Sequence, residues 1–304
     1  RSPVEQATVT ISFPLFSDAE RAAVGTCYKQ KGPEQALELG LQFVGPKMAG
    51  FVHDAKALAP GRKLGAHCWR GGKRSQSMAW LLRTAGLDVI TLEGGYKAYR
   101  QYIRTQFEVL PLKLYVLGGR TGSGKTKILK AMAQMGAQVL DLEGLAHHKG
   151  SAFGFIGELE QPTVEQFENA VYAALQQLDL QKPVWVENES RSIGRVFIPD
   201  GLWLKIKAAP LYNIEIPHTT RVQHLIEDYA NAPMNDLVQA FHKIDRKLGG
   251  QHLKAALEAL EQGDFGKAAE IALQYYDKTY QHCLEQNTAP EIRHLQFEDG
   301  DPAR

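Results

Sequence analysis

The chain has 304 residues, of which 44% are hydrophobic and 23% charged, and its formal net charge is +1. This length is sufficient for two domains that each bury a core, and the composition excludes disordered, collagen-like and coiled-coil proteins. The sequence has no apolar run near the ~20 residues of a membrane span and opens without a signal-peptide pattern. We therefore expect no membrane partner. Three scattered cysteines, Cys27, Cys68 and Cys283, predict a reduced, cytoplasmic compartment rather than a disulfide framework.

The net charge conceals an asymmetry along the chain. Residues 1–199 have a net charge of +6, whereas residues 200–304 have a net charge of −5. Much of the positive charge falls in two segments, residues 62–74 and 95–130, which both contain glycine-rich turns. A net charge near zero would by itself argue against a nucleic-acid partner. Because glycine-rich turns bind anions through their backbone N–H groups, the two basic segments make such a partner plausible again.

The hydrophobic pattern predicts strands that alternate with helices. Helices are expected over residues 17–31, with Ser17 as the cap, and over residues 33–58. Further helices are expected over residues 75–85, 96–106, 125–135 and 164–178, and strands over residues 64–67, 88–92, 112–117, 139–142 and 184–187. This alternation predicts an α/β protein with parallel sheets.

The chain is predicted to contain two domains. Pro111 marks the boundary, so that the domains comprise residues 1–110 and 111–304. The second ends in a helical C-terminal extension from about residue 235. Because the sequence begins at Arg1, in what looks like the end of a strand, we expect the first domain to lack some N-terminal residues.

The first candidate site is a cysteine in an anion-binding loop. Residues 67–75 (HCWRGGKRS) lie between a predicted strand and a predicted helix. Converging N–H groups, a helix N-terminus and nearby cations all favour a thiolate, so Cys68 is predicted to be a nucleophile of lowered pKa. The glycines allow an anion to approach the backbone closely. The predicted anion loop comprises Arg70, Gly71, Gly72, Lys73, Arg74 and Ser75.

Two enzyme types use a loop of this kind. Cys68 and Arg74 have the C-x5-R spacing of protein tyrosine phosphatases, but neither Asp54 nor Asp88 has the context of an acid loop. Residues 92–96 instead resemble the stretch that follows the active loop of rhodaneses, and residues 1–5 resemble the strand end before it. The flanks therefore favour a rhodanese-like domain, in which the cysteine handles sulfur or selenium.

The second candidate site is a P-loop. Residues 119–126 match G-x-x-x-x-G-K-[ST] directly after a predicted strand and at the start of a helix, which is the context that gives the pattern its meaning. The loop recognises phosphate rather than base or sugar, so a diphosphate ester fits as well as ATP, and Thr126 can hold Mg²⁺. The predicted diphosphate-binding residues are Gly119, Arg120, Thr121, Gly122, Ser123, Gly124, Lys125 and Thr126.

Other charged residues are candidates for supporting roles. Glu187, Glu189 and Arg191 follow a predicted strand, where a carboxylate could orient Mg²⁺ or a base and Arg191 could clamp a phosphate, or all three could form a surface cluster. Expected nucleic-acid contacts are Lys97, Arg100, Arg104, Lys130, His147, His148 and Lys149. Trp69 and Tyr96 could stack on a base or pack against an apolar ligand, with core packing as the alternative.

A rhodanese-type cysteine domain joined to a P-loop domain resembles one family, the bacterial tRNA 2-selenouridine synthases. The matching stretches are residues 20–30, 68–75, 93–100, 118–126, 141–154 and 189–194, in the family's order, and the match fades after about residue 200. Residues 210–245 look shorter than the family's helical tract. The resemblance implies a rhodanese-like domain followed by a P-loop NTPase-like parallel-sheet domain.

The resemblance also implies a two-step reaction at the tRNA wobble position. Geranyl diphosphate first alkylates 2-thiouridine, and selenium from selenophosphate then replaces the geranylthiol. This assigns selenium handling to Cys68 and the diphosphate to Lys125 and its loop. No tightly bound cofactor is expected, the partners are tRNA and a pathway that supplies selenophosphate, and the oligomeric state stays open, with a monomer as the simplest case. The alternatives are a P-loop kinase or ATPase with a sulfurtransferase domain, active in tRNA thiolation, and a non-catalytic tRNA-binding protein.

Overall fold

The computed structural model describes residues 11–299 and divides the chain into two compact units, Arg1–Tyr102 and Ile103–Arg304. The predicted similarity of residues 1–5 to a strand end lies outside the described residues. The division falls within a helix, near the boundary at Pro111 that the sequence suggests. We describe each unit separately.

The first unit begins with helices and then places two strands side by side. Its helices are α1 (Asp18–Lys31), α2 (Pro33–Val44), α3 (Met48–Leu58) and α4 (Lys73–Thr84), and its strands are β1 (Lys63–Ala66) and β2 (Asp88–Thr91). Helix α5 (Tyr96–Val109) begins in this unit and ends in the second. Ser17 caps α1 as predicted, since its hydroxyl accepts the N–H of Glu20. The single helix predicted over residues 33–58 is divided by a short 3-10 turn at Gly45–Lys47, which contains Pro46.

The sheet of the first unit sets the position of the cysteine loop. Over residues 11–102 the sheet consists of β1 and β2, which run parallel. Ala79, Leu82 and Val89 are buried where α4 packs against the strands. Because parallel strands end at the same edge, the turn after β1 and the turn after β2 meet there. The rhodanese-like assignment of this unit stays a prediction.

The second unit is an α/β domain around a parallel sheet. Over residues 103–299 the sheet contains the strands β3 (Leu114–Gly119), β4 (Gln138–Leu140), β5 (Val184–Glu187), β8 (Leu211–Glu215) and β9 (Ile292–Gln296). Their spatial order is β4-β5-β3-β8-β9. Strands β6 (Ser192–Ile193) and β7 (Val196–Phe197) form a separate hairpin. Val116 at the centre pairs with Val186 on one side and Leu211 on the other. After β3 the chain first forms β4 and β5 on one side of it and then β8 and β9 on the other, so the order of the strands reverses at β3. Open α/β sheets bind ligands at such a point.

Helices cover this sheet and extend from it. They are α6 (Lys125–Gln134), α7 (Leu142–Ala146), α8 (Val164–Leu175), α9 (Asp200–Lys207), α10 (His218–Tyr229), α11 (Met234–Lys243), α12 (Asp245–Leu248), α13 (Gly250–Glu261) and α14 (Phe265–Glu285). The last four form their own core around Phe241, Leu260 and Ala272. The predicted C-terminal extension is helical over these elements, but the prediction misses β9, by which the chain returns to the sheet.

None of the helices within residues 11–299 is both long and apolar enough to cross a membrane.

Candidate functional site

Cys68 lies in a turn that two segments build together. The backbone N–H of Tyr96 donates to the carbonyl of Cys68 at 2.8 Å, and the N–H of Gly71 donates to the carbonyl of Gly94 at 3.0 Å. Gly95 has φ +75°, and a Cβ there would lie 2.6 Å from the Cys68 carbonyl oxygen. Only glycine suits that position, because the turn after β2 closes directly on the cysteine loop.

The surroundings of Cys68 favour its thiolate. The half-buried thiol lies 3.6 Å from the hydroxyl of Ser75, at the N-terminal end of α4. Burial works against the charge, but the hydroxyl and N–H of Ser75, the N–H of Gly72 and the charge of Arg74 outweigh it and lower the pKa of Cys68. The pKa therefore shifts in the direction predicted from the sequence.

The cations of the predicted anion loop are exposed around the thiol. Arg70, Lys73 and Arg74 are all on the surface, while Gly72 and Ser75 are buried beneath them. Trp69 is 53% exposed, and its ring lies 5.5 Å from that of Tyr96. Trp69 therefore does not belong to the core, and it presents an exposed aromatic side chain next to Cys68 in the loop.

The P-loop has the conformation expected of an anion cradle. The chain leaves β3 at Gly119, and α6 begins at Lys125 after Gly124, which has φ +78°. Gly122 has φ +81°, and a Cβ there would lie 2.8 Å from the carbonyl oxygen of Arg221. The ammonium of Lys125 donates to the carbonyl of Gly119 at 3.1 Å, so it lies across the loop.

One polar atom in the loop has no partner within the described part of the chain. The hydroxyl of Ser123 is buried, the residue being 2% exposed, and it forms no hydrogen bond there. A buried hydroxyl without a partner costs about 1–3 kcal/mol, and the loop's N–H groups bind anions. Both features fit a phosphate group held in the loop.

Three carboxylates lie beside Lys125 and Thr126. Oxygens of Glu143, Glu187 and Glu189 lie within 4.8 Å of one another. The hydroxyl of Thr126 donates to Glu187 at 3.0 Å and lies 3.3 Å from an oxygen of Glu143. Such a set of hard oxygen donors beside a P-loop fits Mg²⁺.

Proximity of the carboxylates shifts the ionisation of the whole cluster. Burial and the neighbouring carboxylates raise the pKa of Glu143 to about 10 and that of Glu189 to about 7. Burial opposes the charge of Lys125, but Glu187, Glu189 and Glu143 outweigh burial and raise its pKa. The lysine is thus a cation, and at neutral pH the cluster retains at least one proton that a divalent ion would displace.

Helices α10 and α14 support the P-loop from its other side. Arg221 is 4% exposed, forms two hydrogen bonds of 2.7 Å to the carboxylate of Asp277 and donates to the carbonyl of Thr121 at 3.2 Å. His224 contacts the carbonyl of Gly122 at 2.9 Å through its Nδ1. Tyr280 accepts the N–H of Gly119 at 2.7 Å and donates to Asn213 at 2.5 Å. These contacts hold the loop open toward the cavity.

The P-loop and the carboxylates line one wall of a large cavity of about 1050 Å³. Several lysines line it as well, namely Lys125, Lys127, Lys130, Lys149, Lys207, Lys243 and Lys247. Cys283 is exposed and lines the same cavity.

The other predicted residues fall into different surroundings. Arg191 lines the cavity and pairs with Asp200. His148 is only 8% exposed and His147 contacts the carbonyl of Glu160 at 2.9 Å, so the burial of His148 does not fit a tRNA contact. Lys149 forms an ion pair with Glu158 at 3.5 Å. Lys97, Arg104 and Lys130 are exposed and Arg100 is partly exposed.

Comparisons with known proteins give this chain a family. The family model for the tRNA 2-selenouridine synthase AAA domain matches residues 112–298. A tRNA 2-selenouridine synthase of Sulfurovum sp. strain NBC37-1 is 33% identical, over 95% of this chain and 88% of the relative. That of Shewanella woodyi is 36% identical, over 90% of this chain and 83% of the relative.

A solved structure also matches part of the chain. It is the N-terminal domain of a Clostridium difficile 630 protein that is named for ATP/GTP binding, and it is 39% identical over 33% of this chain and 78% of that domain. Its TM-score of 0.30 is too low for any conclusion about the fold. The family model, in contrast, spans most of the second unit, and the two relatives cover 95% and 90% of the chain. The chain belongs to the tRNA 2-selenouridine synthase family.

Proposed function

We propose that this chain converts 2-thiouridine at the tRNA wobble position into 2-selenouridine, through S-geranyl-2-thiouridine. The observation that carries the proposal is the P-loop, in which the buried Ser123 hydroxyl and the ammonium of Lys125 face a cavity large enough for a diphosphate ester. The low-pKa thiol of Cys68 supplies the second reactive group. Membership in the tRNA 2-selenouridine synthase family supports tRNA as the substrate.

The first step takes place at the P-loop. The sulfur of 2-thiouridine attacks C1 of geranyl diphosphate, so that a C–S bond forms, the C–O bond breaks and pyrophosphate leaves. N3 of the base loses its proton to solvent or to the departing pyrophosphate, which leaves S-geranyl-2-thiouridine neutral. Lys125 and the N–H groups of residues 119–126 stabilise the charge that develops on the pyrophosphate. Alkylation is useful because an S-geranyl group leaves as a thiolate, whereas the free thiocarbonyl sulfur is a poor leaving group.

The second step uses the loop around Cys68. Selenophosphate is a phosphate analogue, so the cations Arg70 and Arg74 and the N-terminus of α4 bind it. The Cys68 thiolate attacks phosphorus, an S–P bond forms, and the P–Se bond breaks to release hydroselenide. Hydroselenide attacks C2 of the modified base and geranylthiolate leaves, while water hydrolyses the S–P bond to phosphate and restores the thiol. Neither an oxidant nor a reductant is consumed.

Mg²⁺ fits the donor set beside the P-loop. Thr126, Glu143, Glu187 and Glu189 would hold the ion, which when bound would offset negative charge on the diphosphate. Because a proton on the carboxylates competes with the ion, binding of Mg²⁺ should strengthen as the pH rises through about 7, near the pKa of Glu189.

The decisive experiment is nucleoside mass spectrometry. Thiolated tRNA is incubated with the protein and geranyl diphosphate, with and without selenophosphate, and then digested. The expected products are S-geranyl-2-thiouridine in the first reaction and 2-selenouridine in the second. A parallel assay of ATP hydrolysis, with and without tRNA, tests the alternative of a kinase or ATPase. Turnover of ATP without any geranylated nucleoside would replace our proposal with that alternative.

A further inference from the structure

A second, apolar cavity adjoins the P-loop cavity in the same unit. Its volume is about 70 Å³, and its walls include Phe153, Phe241, Ala268 and Ala272. Thr121, Ser151, Tyr229 and Tyr276 line both cavities, so the two lie side by side and share these side chains as a common wall. Thr121 belongs to the P-loop itself, and the apolar space therefore opens beside the proposed diphosphate site.

One face of α14 connects the two spaces. Tyr280, Tyr276, Ala272 and Ala268 are spaced by four residues and so lie on one side of the helix. Tyr280 contacts Gly119 of the P-loop, and Tyr276 lines both cavities. With the rise of an α-helix, Ala272 lies about 12 Å and Ala268 about 18 Å along the axis from Tyr280. An extended ligand that starts at the P-loop and follows this face of α14 would pass Tyr276 and then Ala272 and Ala268.

The walls suit a hydrocarbon. Phe153 makes edge-on contacts with Phe241 and Tyr229, with ring centroids 5.0 and 6.0 Å apart. The hydroxyl of Tyr276 accepts the N–H of Ala152 at 3.1 Å, so its polar end is already bonded. Methyl groups of the alanines leave space that larger side chains would fill. The volume accommodates roughly five water-sized groups, comparable with one isoprene unit.

We propose that this cavity binds the hydrocarbon tail of the allylic diphosphate whose diphosphate occupies the P-loop. The inference rests on the proposed geranyl transfer and names the tail site for it. The diphosphate lies on residues 119–126, C1 faces the larger cavity where the tRNA sulfur must arrive, and the distal isoprene unit lies between Phe153, Phe241 and Ala272. Ala272 then limits the chain length that the site accepts.

Binding to the purified full chain, measured by titration calorimetry, tests this site. The probes are geranyl diphosphate, dimethylallyl diphosphate and inorganic pyrophosphate. Ala272→Leu fills the cavity, and Gln274→Leu on the exposed side of α14 is the matched control. We expect wild type to bind geranyl diphosphate more tightly than pyrophosphate by about ten-fold or more. Ala272→Leu should lose this advantage while its pyrophosphate affinity stays within about two-fold of wild type, and Gln274→Leu should behave as wild type.

A second variant keeps the test decisive if Ala272→Leu does not fold. Ala269 lines the same cavity and is partly exposed, so Ala269→Leu should be tolerated and should give the same loss. Equal affinities of wild type for geranyl diphosphate and pyrophosphate would overturn the tail site, as would an unchanged preference in the filled variants. If instead the preference is present and sensitive to Ala272 but no geranylated nucleoside forms on tRNA, the tail site stands and the proposed function fails.

Discussion

The hydroxyl of Ser75 can give its single proton either to the carbonyl of Gly72, at 2.9 Å, or to the sulfur of Cys68, at 3.6 Å. A thiolate attracts that proton more strongly than a thiol does, so the hydroxyl stabilises the charged form. Ser75→Ala should therefore raise the pKa of Cys68. Ser77→Ala is the matched control, because its hydroxyl bonds to the carbonyl of Lys73 on the exposed side of the same helix.

The measurement is the rate of alkylation of Cys68 by iodoacetamide as a function of pH. In wild type the alkylation rate should reach its plateau at a lower pH than is usual for a cysteine, because the lowered pKa of Cys68 keeps the thiolate present to lower pH. The midpoint should move to higher pH in Ser75→Ala and stay in place in Ser77→Ala. An unmoved midpoint in Ser75→Ala would show that this hydroxyl does not stabilise the thiolate.

Cys68 should be required for the second reaction only. In the proposed mechanism its sulfur is the nucleophile toward selenophosphate, whereas geranyl transfer uses the P-loop of the other unit. Cys68→Ser should reduce formation of 2-selenouridine by at least about 10³-fold and leave formation of S-geranyl-2-thiouridine near the wild-type rate, as measured by nucleoside mass spectrometry. Cys27→Ser is the control. Equal loss of both products in Cys68→Ser would contradict the assignment of the two reactions to two separate sites.

Lys125 should be required for the first reaction. Its ammonium is the one cation of residues 119–126 that reaches across the loop to the carbonyl of Gly119. Lys125→Ala removes this charge and leaves the carboxylate cluster without its counter-ion, so geranyl transfer should fall about 10²–10³-fold. The exposed Lys113 at the start of β3 gives the control Lys113→Ala. A Lys125→Ala protein that still geranylates tRNA at the normal rate would remove the P-loop from the mechanism.

The two candidate loops could be located from the sequence because each lies in a short motif whose geometry is local. Cys68 lies between a strand and a helix, and Lys125 is the first residue of the helix that follows β3. Glu143 was missed as a site residue although it comes three residues after β4 and lies in a stretch that matches the family. Arg221 had no such signal, since its role depends on the distant helices α10 and α14 meeting at one loop.

At the level of elements, the pair Arg221–Asp277 joins α10 to α14 behind the P-loop. The side chain of Arg221 is 5% exposed and that of Asp277 is 21% exposed. Removal of the carboxylate leaves a largely buried guanidinium without its two strongest hydrogen bonds. Asp277→Ala should reduce the free energy of unfolding by about 2–3 kcal/mol, measured by urea denaturation, and weaken pyrophosphate binding because Arg221 also holds Thr121. Glu270→Ala, on the exposed surface of α14, should change neither quantity.

Most strands and helices around the two loops could be predicted from the hydrophobic periodicity. Strands such as Val184–Glu187, for example, are short apolar runs followed by polar turns. Two strands of the sheet were missed. β9 is an edge strand in which exposed and partly exposed residues occur without a buried one, so it lacks the apolar pattern of a core strand. β8 is buried, but it lies in residues 210–245, where the family comparison suggested helix.

For the whole molecule, the distribution of charge is more informative than its sum. The segment with a net charge of +6 contains both anion loops, and the segment with −5 contains the helices of the C-terminal half. tRNA is a polyanion, so its phosphates should contact the first segment. Lys97, Arg104 and Lys130 are exposed there, whereas Lys254 on α13, whose side chain is 80% exposed, lies in the acidic segment.

Binding of tRNA should therefore depend strongly on salt. A phosphate contact that is lost reduces the slope of log K against log salt concentration by about 0.7–0.9. Replacement of Lys97, Arg104 and Lys130 by alanine should lower this slope for each residue that contacts a phosphate, measured by filter binding over a range of potassium chloride concentrations. Lys254→Ala should leave the slope unchanged. Affinity that ignores salt, or a slope that responds to Lys254 and not to the three basic residues, would place tRNA elsewhere on the protein.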